Sequence, residues 1–268
     1  MLKYKLILAG LSISLAGYAY LSSHHSDTEP KIIAKNQANT NANSHVQADL
    51  FFQKNEGFFF DLDTRFRPIK RSELLKAKQF SDFADAEDIR KVHHYQSLEL
   101  AAVISEQLAE DRLIAKGPEL SAEQLAWLEN APYSTNFRLR ADFLEALTVD
   151  TNNLSYNYST PHLTLVPESQ AYYKDGKRAF IQYIREGALP ITSTLNEEDL
   201  FAAKIYFTIG VDGVITKAKV GTSCKSAELD AKMLDLLANL PGEWEVARDI
   251  NGQAVEQELV LSYALPGC

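Results

Sequence analysis

The chain has 268 residues, a formal net charge of −9 and a hydrophobic fraction of 46%. That length accommodates one large hydrophobic core or two small ones. An acidic balance without a basic stripe excludes binding to a phosphate backbone, so the charge reads as solubility.

Lys3 and Lys5 precede an apolar run from Leu6 to Leu21. Gly10, Ser12, Ser14 and Gly17 interrupt the run, which falls short of the about 20 residues that a spanning helix takes. Residues 1–21 are therefore either a cleaved signal peptide, with Gly17 and Ala19 before the cut, or a short inner-membrane anchor. Both readings export the body to the periplasm, and no cysteine lies close enough for a lipid anchor. Residues 22–49 are polar and nearly free of large apolar side chains, which predicts a disordered spacer. His24, His25 and His45 fall in it without regular ligand spacing, so a solvated tail is expected rather than a metal site.

A folded region is expected over residues 50–167. Phe51, Phe52 and Phe58-Phe59-Phe60 lead into Asp61-Leu62-Asp63, an extended aromatic start. Short helices are predicted at Ser72–Lys78 and Asp85–Val92, then a strand over Tyr95–Ile104. Ser121 caps a helix that Pro132 closes. Phe137, Leu139, Ala141 and Phe143 alternate with Arg138, Arg140 and Asp142, the period of a half-buried strand. After a polar loop, Tyr156, Tyr158 and His162–Val166 read as further strand.

Residues 168–268 carry the clearest pattern. A helix is predicted over Gln170–Glu186, a strand over Ala203–Ile209, a turn at Asp212-Gly213 and a return strand over Val214–Val220. Ser226 caps a helix with apolar residues at Leu229, Met233, Leu236, Leu237 and Leu240, ended by Pro241-Gly242. Asn251-Gly252 turns the chain into a last strand, Val255–Tyr263. The order α-β-β-α-β predicts an α+β fold, an antiparallel sheet with helices on one face.

Several motifs here resemble the C-terminal domain of the TonB family. Asp175-Gly176-Lys177-Arg178-Ala179-Phe180-Ile181-Gln182-Tyr183-Ile184 is similar to its Gly-Gly-x-x-Ala-Leu-x-x-Tyr-Leu opening, and Leu189-Pro190 stands at its Tyr-Pro. The hairpin Ala203–Ser223, the segment Leu240-Pro241-Gly242-Glu243-Trp244-Glu245-Val246-Ala247, and Asn251-Gly252-Gln253-Ala254-Val255 follow in the family's order. The resemblance implies a non-enzymatic interaction module that takes an extended peptide, from an envelope or outer-membrane protein, along an exposed strand edge. Val255, Gln257, Leu259, Leu261 and Tyr263 are the candidate edge, against the plainer reading of a strand that completes the sheet. The family's membrane segment carries a Ser-x-x-x-His pair; here Ser12 is followed by Ala16 and Ser14 by Tyr18, and the proline-rich spacer is missing. True energy transduction to outer-membrane transporters is thus the alternative rather than the expectation.

The two folded regions echo one another. Leu120-Ser121-Ala122-Glu123 matches Lys225-Ser226-Ala227-Glu228 about 105 residues on, and Asn130-Ala131-Pro132 ends its helix as Asn239-Leu240-Pro241 does. Two related lobes are one reading; common cap and stop chemistry is the other.

Little else suggests chemistry. Phe58-Phe59-Phe60-Asp61-Leu62-Asp63 resembles the nucleophile strand of haloacid-dehalogenase phosphatases, which would make Asp61 the nucleophile and Asp63 the acid. Arg65 departs from that pattern, and the antiparallel α+β order does not suit that fold. His93, His94 and His162 lack carboxylate or cysteine partners at ligand spacing, so no metal, cofactor or catalytic residue is expected. In an oxidising compartment Cys224 and Cys268 either pair or stand as separate thiols. A hairpin with a helical crossover puts both at one end of the sheet, and an intervening strand would hold their backbones about 10 Å apart.

Overall fold

The computed structural model describes residues 58–90, 92–146 and 154–265. The signal or anchor, the spacer with its histidines, and Cys268 lie outside them. In chain order come β1 (Phe59–Asp63), β2 (Arg67–Lys70), the single-turn helices α1 (Arg71–Leu74) and α2 (Ala86–Ile89), β3 (Val92–Ile104) and β4 (Gln107–Lys116). Then follow α3 (Ala122–Asn130), β5 (Asn136–Ala146), β6 (Leu154–Ser159), β7 (His162–Val166) and β8 (Tyr172–Tyr173). The remainder is α4 (Lys177–Thr192), β9 (Ala203–Ile209), β10 (Ile215–Thr222), α5 (Ala227–Ala238), β11 (Trp244–Glu245), β12 (Ala247–Arg248), β13 (Ala254–Val255) and β14 (Gln257–Ala264).

Two larger sheets organise these elements, with β11–β8 and β12–β13 as small ribbons beside them. The fold is therefore mixed α+β with several antiparallel sheets. The C-terminal sheet runs β1-β14-β9-β10, every neighbour antiparallel. The other sheet runs β2-β7-β5-β3-β4, with β6 pairing β5 beyond the end of β7. Its one parallel pair is β2 with β7. In each sheet a hairpin, a crossing helix and a return strand place the hairpin's first strand in the centre: β4-β3-β5 around α3, and β10-β9-β14 around α5.

Periodicity decides which face each element buries. On β5, Phe137, Leu139, Ala141 and Phe143 point to a core shared with Leu98, Leu100, Leu128, Leu163 and Phe80, while the arginines and Asp142 face outward. On β9, Ile205, Phe207 and Ile209 meet Phe180 and Ile184 of α4 and Leu229, Met233 and Leu237 of α5. Cap chemistry sets the helix starts: Ser121 Oγ accepts from the Gln124 N–H at 3.2 Å, and Gln124 Oε1 accepts from the Ser121 N–H at 3.0 Å. No helix among the described residues is long and apolar enough to cross a membrane.

Several sequence expectations shift. The helix predicted over Gln170–Glu186 starts later, at Lys177, because Tyr172–Tyr173 pairs with Trp244–Glu245 and Gly176 turns the chain at φ 89°. It also runs on through Pro190, tolerated in the last turn where little helix remains to break. The last strand breaks at Glu256, leaving Val255 on β13, paired with Ala247. Strand β4 was not anticipated. Its hairpin turn, Ser105-Glu106, has φ of 47° and 65° without the Gly or Asn that such a turn favours.

Gly221 lies at a register shift of β10, where a Cβ would come within 2.1 Å of the Tyr206 ring. Tyr206 is buried and its hydroxyl is bonded to Glu106, so the ring cannot swing away cheaply. Gly221→Ala should lower stability by about 2 kcal/mol; urea unfolding measures it.

Candidate functional site

The resemblance to the TonB family makes β14 the candidate binding edge, against the plainer reading of a strand that completes the sheet; the plainer reading holds, because β14 is not an edge. β1 pairs with it antiparallel from Phe59↔Ala264 to Asp63↔Val260, and β9 flanks the other side. The candidate residues Leu259, Leu261 and Tyr263 face the core, and Gln257 is buried, its Oε1 accepting from the Ala171 N–H at 2.7 Å. The correction has a simple cause: an unpaired row of N–H and C=O groups beside a core attracts an extended segment, and this chain supplies one. Phe60 and Leu62 drop into the C-terminal core while Asp61 pairs outward with Lys177 Nζ at 2.7 Å.

That occupancy assigns the two aspartates. Asp63 Oδ1 accepts from the Thr64 N–H at 2.7 Å, turning the chain out of β1. Both carboxylates sit on an outer antiparallel strand, a geometry unlike the central parallel strand that would aim a phosphatase nucleophile. His93 and His94 are exposed on β3. His162 packs against Phe66 with its Nδ1 3.0 Å from the Thr160 carbonyl, and burial lowers its pKa beside Arg138 and Arg65. Among the described residues no His, Cys, Asp and Glu group could hold a metal ion.

Immediately after β1, Arg65 anchors the strand's exit. Its side chain is 6% exposed, pairs with Glu106 at 2.8 Å, and lies over the rings of Phe66 (4.7 Å) and Tyr206 (5.9 Å). The Tyr206 hydroxyl donates to the same Glu106 carboxylate, and burial together with that carboxylate raises its pKa. Glu106 thus brings the tip of the β3–β4 hairpin onto the face of β9 that the helices leave open. Two non-glycine residues at positive φ cost about 1–3 kcal/mol each, and this double contact offsets that cost. Sequence reasoning noted Arg65 only as a departure from a motif; nothing local marks Glu106 or Tyr206.

A second polar cluster braces the C-terminal sheet. Asp230, in the first turn of α5, accepts hydrogen bonds from Ser223, from Tyr263, from the Cys224 N–H (3.2 Å) and from the Cys224 thiol (3.0 Å). Burial alone would raise the Asp230 pKa, but these donors outweigh it and hold the carboxyl below its ordinary range. Burial and the neighbouring carboxylate push the Cys224 thiol up to about 11, so it stays protonated and unreactive. Cys268, with which it would either pair or stand as a separate thiol, lies outside the described residues. The conditional geometry is met in one respect: β9 does lie between β10 and β14, the strands that precede the two cysteines.

Compared with known proteins, the chain matches no protein family, no curated protein and no solved structure.

Asp230 makes the stability of the C-terminal sheet depend on pH. Its folded pKa is depressed, so its contribution is present above the ordinary aspartate value and is lost as pH falls through the folded one. Asp230→Ala should cost about 3 kcal/mol at pH 7 by stranding several buried donors. The gap between wild type and variant should shrink as urea melts are repeated below pH 4, the region of the ordinary carboxyl pKa.

Proposed function

We propose that the chain is an exported, non-enzymatic cell-envelope protein whose C-terminal half is a TonB-like recognition module for an extended peptide. The observation that carries this reading is β1: the outer side of β14 holds a five-residue extended segment in unbroken antiparallel register, with two apolar side chains seated in the core. A groove that takes one such segment from its own chain is chemically suited to another of the pattern apolar-x-apolar. Support for the TonB-like part comes from the helix-hairpin-helix-strand order and from the motifs in residues 168–268. The body over residues 50–167, apart from the β1 segment that joins the C-terminal sheet, is a second, related lobe in this reading, supported by the shared strand order around α3 and α5. In it, β1 is the resident occupant that an envelope or outer-membrane partner displaces.

Weakening β1 tests the groove. Leu62→Ala removes a buried contact worth about 3 kcal/mol and leaves the sheet partners of β1 intact. A fluorescein-labelled synthetic peptide with the sequence of residues 58–64 should raise anisotropy on the variant and not on the wild type. Far-UV circular dichroism checks that the variant is folded. A folded Leu62→Ala protein that ignores the peptide would rule out the groove as a strand-addition site.

A further inference from the structure

The outer edges of the two sheets differ in one physical respect. Strand β4 is interrupted by a register shift beside Glu110 and Asp111, and β10 by two shifts, with Lys217 at φ 56° and Lys219 nearby. β2 carries Pro68 between Arg67 and Ile69, and β1 carries Asp61 and Asp63. Bulges, prolines and like charges are the means by which sheets discourage edge-to-edge pairing. β6 has none of them. Leu154-Ser155-Tyr156-Asn157-Tyr158-Ser159 is uncharged, lacks Pro and Gly, and pairs with β5 in unbroken register from Ala141↔Ser159 to Ala146↔Leu154. Among the described residues, β5 is its sole strand partner.

The side chains on this strand are already positioned. Tyr156 and Tyr158 share the outward face and are 55% and 53% exposed. The Tyr156 hydroxyl donates to Asp142, and the Tyr158 ring lies 4.4 Å from the Arg140 guanidinium carbon. Arg140 is in turn paired with Asp142 at 2.9 Å, and Ser97 Oγ donates to that carboxylate at 3.1 Å. The rings are held down on the sheet, so little rotamer freedom remains to be lost on docking. Asn157 Oδ1 accepts from the Tyr158 N–H at 2.8 Å, a local bond that an incoming carbonyl can replace in kind.

We infer that β6 is a self-association edge, and that its occupant is β6 of a second copy of this chain, paired antiparallel about a two-fold axis through Asn157. Charge selects the occupant. Self-pairing at β4 would set acids against acids, at β10 lysines against lysines, and at β1 aspartates against aspartates; at β6 no charge meets its like. Side-chain pairing selects the register. Directly opposed residues must share a face, and centring on Asn157 places Tyr156 opposite Tyr158 of the second copy, twice over, with Ser155 opposite Ser159. Aromatic cross-strand pairs are among the better sheet contacts, at about 0.2–1 kcal/mol each. One short strand per copy buries less than the roughly 800 Å² per partner of a standard interface, so the dimer is weak and exchanges readily. This inference is independent of the β14 groove.

The register is tested by cross-linking with a membrane-permeant oxidant in intact cells that express the full chain, wherever in the cell it resides. In a Cys268→Ser background, Asn157→Cys sets the two introduced thiols opposite each other, within the Cα separation of about 4.5–5.5 Å that a cross-strand pair provides and a disulfide accepts. Ser155→Cys moves them roughly 13 Å apart along the strands. Mild oxidation should shift most of the Asn157→Cys chain to twice the monomer mass on a non-reducing gel and leave the Ser155→Cys chain monomeric. Adding Tyr156→Lys with Tyr158→Lys should abolish the cross-link by opposing like charges, whereas Tyr156→Lys with Tyr158→Glu should keep it. No dimer from Asn157→Cys, equal cross-linking of Ser155→Cys, or an adduct to a protein of another mass would each overturn the inference.

Discussion

The pairing of β1 with β14 joins the start of the described chain to its end, and most of the architecture answers to it. Without β1 the C-terminal sheet would present an open row of backbone groups beside a core containing Leu261 and Tyr263, both fully buried. With β1 in place, Phe60 and Leu62 complete that core, and the chain must then cross at once to begin the other sheet at β2. The crossing is short, so the two sheets are held close by covalent connection as well as by packing. Arg65 occupies the crossing. Its desolvated guanidinium is tolerable because Glu106 neutralises it and two aromatic faces cover it. The strained Ser105-Glu106 turn is the counterpart of that arrangement: it persists because Glu106 serves both Arg65 and Tyr206.

The parts of the fold legible in the sequence are those fixed by local rules. The α5 stripe, the Ser121 and Ser226 caps, and the Asp212-Gly213 and Asn251-Gly252 turns each depend on neighbours a few residues away, and each appears in the structure. The alternation on β5 is equally local, and the strand extends three residues beyond its predicted end to Ala146. What escaped was non-local or locally atypical. β1 finds β14 across almost the whole described chain, and nothing in Phe59–Asp63 names its partner. β4 is masked by Glu110-Asp111-Arg112 and by a turn without the usual turn residues. The expectation that Val255–Tyr263 offers an edge rested on the resemblance to the TonB family, and matching motifs within residues 168–268 do not reveal that a strand from residues 59–63 flanks β14.

Polar burial was the least legible feature, because a buried carboxylate or amide looks like any surface residue until its partners are known. Asp230 reads in sequence as an ordinary acidic residue near a helix N-terminus. In the structure it gathers donors from the end of β10 and from β14, and so fixes the helix to both strands it connects. Gln124 is a second such residue. Its side chain does cap, but its Nε2 also donates to the carbonyls of Leu98 (2.9 Å) and Leu113 (2.8 Å), tying α3 to β3 and β4.

These two residues meet one mechanical requirement by different chemistry. In each sheet a short helix, of 9 residues in α3 and 12 in α5, must leave a hairpin and deliver the chain to the far side of the hairpin's first strand. A helix that short offers few turns over which packing can fix its angle. Pinning its N-terminal turn to the strands supplies the missing constraint. In one case a neutral amide donates to one carbonyl on each strand of the hairpin; in the other a carboxylate collects hydroxyl, thiol and amide donors. The neutral version is indifferent to pH, whereas the charged version ties the angle of α5 to the ionisation of Asp230. Acid should therefore release α5 from its strands while the Gln124 tie of α3 holds, so that α5 loses its amide protection before α3 does.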